Sequence, residues 1–202
     1  MRSALFLDRD GVIISDAGYV KDVSEVKLLE DCVSLIRSAN QKGWATVVVT
    51  NQSGLGRGWI QLQDYRNVSQ RMFDLLNLKG VSVDAVYFAP FYPLAEKNPY
   101  LDSDYQFSTG EVPQRGAWDS KWRKPQGGML SQASIDLGID LQSSVMVGDR
   151  HTDLYAGQIA GVPRFIFRKS IIFAEEKRLL ESNGAPIWIS VEEVDSLKDV
   201  QL

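Results

Sequence analysis

The chain has 202 residues, a net charge of −4 and a hydrophobic fraction of 44%, values that suit one globular domain over residues 1–202. Its single cysteine and single histidine exclude an intrachain disulfide, a four-cysteine zinc site and a multi-histidine metal site. Because no block of basic residues occurs, we expect no nucleic acid or anionic membrane as a partner.

The first apolar run bears on the cellular location of the protein. Ala4–Leu7 stops at Asp8 and is too short for a secretory signal. No apolar stretch approaches the roughly 20 residues that a membrane-spanning helix needs. Together with the lone cysteine, these features predict a cytoplasmic protein, which we expect to be a monomer.

Short apolar runs alternate with helix-like stretches along the chain. The predicted strands are Ala4–Leu7, Trp44–Val49, Ala85–Phe88, Val145–Val147, Arg164–Phe167 and Ile187–Ile189. The predicted helices are Glu30–Lys42, Gln61–Lys79, Gly128–Leu137, Asp153–Ala160 and Phe173–Ser182. This alternation predicts an α/β fold with helices on both faces of a doubly wound, mostly parallel sheet. Ligands in such folds bind beyond the carboxyl ends of the strands.

Residues 90–122 break this rhythm. Four prolines and seven aromatic residues occur there without a clear period. Long connections of this kind are usually functional or disordered, and disordered segments are poor in aromatic residues. We therefore expect a long, ordered loop that faces the substrate.

Asp8 and Asp10 follow the first predicted strand directly, in the run Asp8-Arg9-Asp10-Gly11. Two carboxylates at this spacing can point the same way where a chain leaves a strand. Asp8 would then attack phosphorus as a nucleophile, and Asp10 would serve as general acid and base. The alternative is a solvated, aspartate-rich turn.

Thr50 follows the second predicted strand, and glycines surround Arg57 a few residues later. The Thr50 hydroxyl and nearby backbone N–H groups can hold phosphate oxygens, and Arg57 can add a charge-assisted contact. Taken in isolation, the segment is also compatible with an ordinary polar turn.

Lys124 precedes a predicted helix, and Asp149 and Asp153 follow the fourth predicted strand. Lys124 would offset the charge of a phosphoryl group. Asp149 would bind Mg²⁺, and Asp153 would be a second ligand or would orient Asp149. A solvated lysine and a helix N-cap aspartate are the alternatives.

In this order, the motifs resemble those of the haloacid dehalogenase (HAD) superfamily. The resemblance covers about residues 4–167 and rests on Asp8-Arg9-Asp10-Gly11, Thr50, Lys124 and Gly148-Asp149 with Asp153. It implies a phosphatase with a minimal cap, in which Asp8, Asp10, Thr50 and Lys124 are catalytic. It also implies a Mg²⁺ held by Asp8, Asp149, the backbone carbonyl of Asp10 and, in one alternative, Asp153.

Within the superfamily, the chain is similar to the group of D-glycero-D-manno-heptose-1,7-bisphosphate and histidinol-phosphate phosphatases. The similarity rests on Gly18-Tyr19-Val20, Thr50-Asn51-Gln52-Ser53-Gly54, Arg123-Lys124-Pro125 and Met146-Val147-Gly148-Asp149. It implies a small phosphorylated metabolite as partner and a heptose bisphosphate as substrate, with histidinol phosphate or another sugar phosphate as the alternative. The substrate contacts that it implies, with Arg57 added from its own position, are Asp16, Gly18, Tyr19, Asn51, Gln52, Ser53, Arg57, Arg123 and Arg150.

The chain departs from this group at its zinc site. Relatives carry a structural zinc on two cysteine-containing pairs, and the corresponding positions here are Ala89-Pro90-Phe91 and Ser120-Lys121-Trp122. We therefore expect no zinc. The loop between these positions would be held by packing, and it would flank the site.

Three other functions are compatible with some of these features. A phosphomutase would require a larger cap than the sequence offers. A phospho-accepting signalling domain also uses Asp, Thr and Lys, but it would lack the acid and base that Asp10 provides. A non-catalytic binding protein would have no need of an intact Asp8 and Asp10 pair.

Overall fold

The computed structural model describes residues 1–93, 105–169, 173–182 and 190–202. The strands are β1 (Ala4–Leu7), β2 (Ala45–Asn51), β3 (Ala85–Ala89), β4 (Tyr105–Thr109), β5 (Val112–Gly116), β6 (Val145–Gly148), β7 (Arg164–Arg168) and β8 (Ser190–Val194). The helices are α1 (Glu30–Gln41), α2 (Ser53–Gly56), α3 (Leu62–Leu78), α4 (Gly128–Leu137), α5 (His151–Ala160) and α6 (Phe173–Ser182).

The eight strands form one sheet in the order β4-β5-β3-β2-β1-β6-β7-β8. Every neighbouring pair is parallel except β4 and β5, which are antiparallel. The strand order reverses at β1, which lies between β2 and β6. Such a reversal opens a crevice at the carboxyl ends of the strands, where open α/β sheets bind ligands. The predicted α/β fold with a doubly wound, mostly parallel sheet is confirmed.

Both faces of the sheet are covered, which explains the nearly continuous apolar character of the central strands. Leu5 and Leu7 pack in the same core cluster as the apolar sides of α1 and α3. Phe6, which alternates with them along β1, packs in a second cluster with residues of α4 and α5. All three of these side chains are fully buried. Packing on both faces of the sheet therefore fixes the position of β1.

The helix after β6 begins earlier than the sequence pattern predicts. We expected a helix over Asp153–Ala160, and α5 begins at His151. Asp153 therefore lies in the first turn, where its Oδ2 accepts the backbone N–H of Arg150 at 3.0 Å. A carboxylate that caps the first turn satisfies an N–H group without a helical partner. The N-cap residue of α5 is Arg150, so the N-cap alternative for Asp153 is wrong: Asp153 is the third helical residue and supplies the acidic half of a capping box.

The prediction of a loop throughout residues 90–122 is wrong for the part that forms β4 and β5. These strands make an antiparallel hairpin that extends the sheet beyond β3. Pro113, which argued against a strand, pairs only with Ser108 of β4, because the pairing of β5 with β3 begins at Gln114. Residues 94–104 of the predicted loop lie outside the described residues.

Two features at the far end of the sheet also differ from the prediction. The predicted strand Ile187–Ile189 lies outside the described residues, and β8 follows at Ser190–Val194. Its sequence, with Glu192 and Glu193 in the centre, gave no apolar signal. Among the described residues, none of the helices is both long and apolar enough to cross a bilayer.

Phe88 joins the hairpin to the rest of the fold. Its buried ring lies 4.8 Å from the ring of Tyr65 on α3, and 6.0 Å from each of the rings of Tyr105 and Phe107 on β4. A Cβ atom at Gly116 of β5 would lie 2.3 Å from the Phe88 ring, so glycine is required for this packing.

We therefore expect Phe88→Ala to lower the free energy of unfolding by about 3–5 kcal/mol, because it removes a fully buried aromatic ring. Chemical denaturation measures this change. Leu78→Ala is the control, because Leu78 is 79% exposed and its truncation should cost less than about 0.5 kcal/mol. A loss below about 1 kcal/mol for Phe88→Ala would contradict the described packing.

Candidate active site

Asp8 lies buried at the point where the chain leaves β1. Its backbone N–H donates to Val147 O at 3.0 Å, which ties the turn to β6. Its Oδ1 accepts the backbone N–H of Arg9 at 2.7 Å and lies 2.9 Å from Nζ of Lys124. Burial raises the pKa of Asp8 to about 6, and the charge of Lys124 opposes this rise. Asp8 is thus a carboxylate with one oxygen held in place and little water around it.

Asp10 lies beside Asp8 and is more open to solvent. Arg9 donates to both carboxylate oxygens of Asp10 at 3.0–3.2 Å, and Gln52 Nε2 donates to Oδ2 at 3.0 Å. Burial raises the pKa of Asp10, while the Arg9 guanidinium works in the opposite direction. A carboxyl group with a raised pKa that still reaches solvent suits the transfer of a proton.

Gly11 brings the first turn against Asp149. Its φ of +79° is a left-handed value that favours glycine. A Cβ atom at this position would lie 2.4 Å from Asp149 Oδ2. The glycine therefore allows the turn after β1 and the turn after β6 to approach each other more closely than any side chain would permit.

Lys124 connects these turns through its buried ammonium group. Nζ lies 2.9 Å from Asp8 Oδ1 and 2.5 Å from Asp153 Oδ1, and it donates to Val49 O at 2.9 Å. Asn51 holds the main chain of Lys124 by two hydrogen bonds of 3.0 Å, one to its carbonyl and one from its N–H. Asp153 and Asp8 raise the pKa of Lys124 against the opposing effect of burial, so the lysine stays charged.

The end of β2 supplies two residues that line a cavity and two that are buried behind its wall. Asn51 and Ser53 line a cavity above the sheet. Thr50 and Gln52 are not on its wall: both are buried, and Gln52 Nε2 donates to Thr50 Oγ1 at 2.8 Å. Because Gln52 also binds Asp10, it links the hydroxyl of Thr50 to the first turn.

Three buried carboxylates lie close together, and one of them, Asp8, lines the cavity. Asp8, Asp149 and Asp153 each offer an oxygen, and these oxygens lie within 4.8 Å of one another. Asp149 Oδ1 is buried and has no hydrogen-bond partner among the described residues. Burial, with Asp153 and Asp8 nearby, raises the pKa of Asp149 to about 8. A hard cation such as Mg²⁺ fits this cluster, because it binds carboxylate oxygens and would supply the missing partner.

The side chain of Asp10 does not belong to this carboxylate cluster. Its two oxygens are occupied by Arg9 and Gln52. The predicted contact of Asp10 with the metal was through its backbone carbonyl, and that contact stays a prediction.

The cavity has a volume of about 350 Å³. The structure brings most of the predicted substrate contacts to its wall, with Gln52 as the exception. The lining residues are Asp8, Asp10, Asp16, Gly18, Tyr19, Asn51, Ser53, Arg57, Arg123, Lys124, Arg150, His151, Thr152 and Glu176. The sequence analysis missed His151, Thr152 and Glu176.

His151 and Glu176 form a pair at one side of the cavity. His151 Nδ1 lies 2.5 Å from Glu176 Oε2, and the same oxygen accepts the backbone N–H of His151 at 2.8 Å. The lone histidine of the chain was a signal that the sequence analysis did not use. Glu176, on α6, gave none, because its contact depends on how α6 packs beside α5.

Arg150 and Asp16 form another pair on the wall. Arg150 Nη2 lies 2.9 Å from Asp16 Oδ2, and Asp16 Oδ1 accepts the backbone N–H of Gly18 at 2.8 Å. Gly18 has a φ of +88°, which lets the loop turn tightly around the carboxylate. This arrangement joins the loop after Ile14 to the start of α5.

Arg57 and Arg123 add positive charge to the wall of the cavity. The Arg57 guanidinium lies 3.5 Å from the centre of the Tyr92 ring and 4.5 Å from that of Trp59. Burial and the nearby charge of Arg57 lower the pKa of Arg123. Among the described residues, no carboxylate forms an ion pair with either arginine. Two neighbouring guanidinium groups in this state favour an anionic ligand.

Aromatic packing occupies the described positions that correspond to the zinc ligands of relatives. The Trp122 ring lies 6.1 Å from that of Tyr87, and the Phe91 ring lies 5.5 Å from that of Trp118. The expectation of a chain without zinc stays a prediction.

The comparisons with known proteins agree with this site. A family model for HAD-hydrolase-like proteins matches residues 121–193. The chain is 37% identical over 159 residues to the D-glycero-alpha-D-manno-heptose-1,7-bisphosphate 7-phosphatase of Burkholderia mallei, covering 79% of this chain and 76% of the relative. It is 36% identical over 162 residues to the D-glycero-beta-D-manno-heptose-1,7-bisphosphate 7-phosphatase of Haemophilus ducreyi, covering 80% of each.

A solved structure shows the same relationship. The D,D-heptose 1,7-bisphosphate phosphatase of B. bronchiseptica, in complex with magnesium and phosphate, superimposes with a TM-score of 0.72 at 26% identity. The match covers 98% of this chain and 94% of that one. The chain thus belongs to the HAD superfamily of hydrolases, in the family that includes these heptose-bisphosphate phosphatases.

Proposed function

We propose that the chain is a magnesium-dependent phosphatase that removes the 7-phosphate of D-glycero-D-manno-heptose 1,7-bisphosphate through a phosphorylated Asp8. The observation that carries the proposal is the position of Asp8. It lies on the wall of the cavity, with one oxygen held by Lys124 and Asp10 beside it. The activity for which the relatives from Burkholderia mallei and Haemophilus ducreyi are named supports the choice of substrate.

The reaction has two steps, and Asp10 acts in both. In the first, an oxygen of Asp8 bonds to phosphorus while the bond from phosphorus to the sugar oxygen breaks, and Asp10 gives its proton to that oxygen. In the second, Asp10 takes a proton from a water molecule whose oxygen bonds to phosphorus, and the bond to Asp8 breaks. The products are the alcohol, inorganic phosphate and the original two carboxyl groups.

Lys124 contacts the phosphoryl group in this proposal, and Thr50 positions the groups around it. Lys124 Nζ already contacts Asp8, so its charge lies where negative charge develops during transfer. Thr50 lies behind the cavity wall, and its Oγ1 accepts a hydrogen bond from Gln52, which also donates to Asp10.

Asp8, Asp149 and the backbone carbonyl of Asp10 are the groups that would hold Mg²⁺, with Asp153 as a further ligand or as the residue that orients Asp149. When bound, the ion neutralises negative charge on the phosphoryl oxygens. Asp149 Oδ1, which has no hydrogen-bond partner in the described part of the chain, supports this assignment, as do the magnesium and phosphate in the B. bronchiseptica structure.

The second phosphate of the substrate would bind to Arg57 and Arg123. Both line the cavity, and among the described residues no carboxylate forms an ion pair with either of them. The rings of Trp59 and Tyr92 hold the Arg57 guanidinium, so little side-chain entropy is lost when an anion binds. Asp16, Glu176 and Arg150, which also line the cavity, offer acceptors and a donor for sugar hydroxyl groups.

We expect Asp8→Asn to reduce phosphate release from the heptose bisphosphate by at least about a thousandfold, because an amide is a poor nucleophile towards phosphorus. Release by the unchanged enzyme should require Mg²⁺ and stop with excess chelator. Asp74→Asn, the same substitution on the exposed face of α3, is the control and should keep full activity. Turnover that survives Asp8→Asn or chelator would contradict the mechanism. A preference for histidinol phosphate over the heptose bisphosphate would contradict the proposed substrate.

A second prediction separates the two phosphates. Arg57→Met should raise KM for the bisphosphate by roughly 10- to 100-fold, because it removes a charge-assisted hydrogen bond. For p-nitrophenyl phosphate, which has one phosphate, kcat/KM should change less than about twofold. Arg66→Met is the matched control, because Arg66 also stacks on an aromatic ring, that of Phe107, but lies outside the cavity lining. Equal losses on both esters would argue against a second phosphate at Arg57.

A further inference from the structure

Arg168, the last residue of β7, joins the sheet to the turn that carries the catalytic aspartates. Its Nη1 donates to the carbonyl oxygen of Gly11 at 3.1 Å. Its Nε and Nη2 donate to the carboxylate of Asp31 at 3.3–3.4 Å. The Arg168 side chain is 16% exposed. One guanidinium thus bridges a carboxylate on α1 and a backbone carbonyl beside Asp10.

Asp31 is a fixed partner for this guanidinium. It lies in the first turn of α1 and is 9% exposed. Its Oδ1 accepts the backbone N–H of Cys32 and its Oδ2 that of Leu197, each at 3.1 Å. Because α1 and the segment around Leu197 both hold this carboxylate, the position of Arg168 is determined by parts of the fold outside the active site.

Gly11 is the element that Arg168 can place. Its N–H donates to Ile14 O at 2.8 Å, and its Cα packs so closely on Asp149 that a Cβ atom would lie 2.4 Å from Oδ2. Gly11 is also joined directly to Asp10. A shift of the Gly11 peptide would therefore move the acid and base and remove the support of the Asp149 carboxylate.

We propose that Arg168 is a positioning residue of the phosphatase site: through the Gly11 carbonyl it holds Asp10 and Asp149 in the places that proton transfer and metal binding require. The inference rests on the proposed function. An ion pair with Asp31 alone would need only two of the donors of a guanidinium. The third donor is directed at the catalytic turn, and the planar, five-donor group of arginine allows both contacts together.

Arg168→Met tests the proposal. We expect kcat for the heptose bisphosphate to fall roughly 10- to 100-fold with KM changed less than about threefold, because the groups that act in the transition state are misplaced while the cavity wall is kept. The dissociation constant of Mg²⁺, measured by calorimetry without substrate, should rise about tenfold. Arg168→Lys should recover part of kcat, since one ammonium group can replace only part of the bridge.

Arg164→Met is the matched control. Arg164 begins the same strand and likewise binds one carboxylate, that of Glu192, and one backbone carbonyl, that of Gln201, each at 2.7 Å. A loss of thermal stability similar to that of Arg168→Met, with kcat and the Mg²⁺ affinity unchanged, is expected. If both variants lose kcat equally, the role of Arg168 is only structural.

The outcomes also separate this inference from the proposed function. An active enzyme whose Arg168→Met variant keeps kcat and Mg²⁺ affinity within about twofold overturns the positioning role alone. A wild-type chain that hydrolyses none of the esters but binds Mg²⁺, more weakly in Arg168→Met, overturns the phosphatase and keeps the positioning role. If the wild type neither hydrolyses an ester nor binds Mg²⁺, both are overturned.

Discussion

The site depends on the compensation of buried negative charge at the carboxyl ends of β1 and β6. Asp8, Asp149 and Asp153 are almost fully buried, and Lys124 is the cation that lies between two of them. Removing one partner of a buried ion pair costs about 3–5 kcal/mol, because the other charge is left uncompensated. One lysine cannot compensate three carboxylates, so negative charge remains in excess. Burial, together with repulsion from Asp153 and Asp8, therefore raises the pKa of Asp149. A divalent cation would relieve this excess, in agreement with the Mg²⁺ site proposed above.

The rest of the fold brings this cluster together and keeps it in register. β1 is buried on both faces and lies between β2 and β6. The turns after these three strands therefore meet at the carboxyl-terminal edge of the sheet. Gly11 lets two of the turns touch, while Asn51 holds the main chain of Lys124 from the third. The wall of the cavity then carries the carboxylates Asp8 and Asp10, the guanidinium groups of Arg57 and Arg123, and the polar groups of Arg150 and Glu176. A long metabolite with an anion at each end fits that distribution of charge.

The sequence predicted the central sheet and the order of the main motifs, because both depend on local patterns. In each case an apolar run ends, at Leu7, Val49 or Val147, and polar residues follow. It did not predict the hairpin, since Pro113 lies in a strand that is paired on one side only at that residue. It also missed β8, whose glutamates gave no apolar signal, and the contacts of Glu176 and Arg168. Those contacts join residues that lie 25 and 157 positions from their partners His151 and Gly11, and a single sequence carries no information on such pairs.

Covalent phosphorylation of Asp8 is the central claim, and acid quenching during turnover tests it most directly. The heptose bisphosphate and Mg²⁺ would be mixed with the enzyme and stopped within milliseconds, and the peptide that contains Asp8 would be analysed by mass spectrometry after borohydride reduction of any acyl phosphate. The account predicts a phosphoryl group on Asp8 that forms and decays at rates sufficient for turnover, and no such group in Asp8→Asn. Steady release of phosphate with the acyl phosphate on another residue, or with no covalent intermediate at any time, would contradict it.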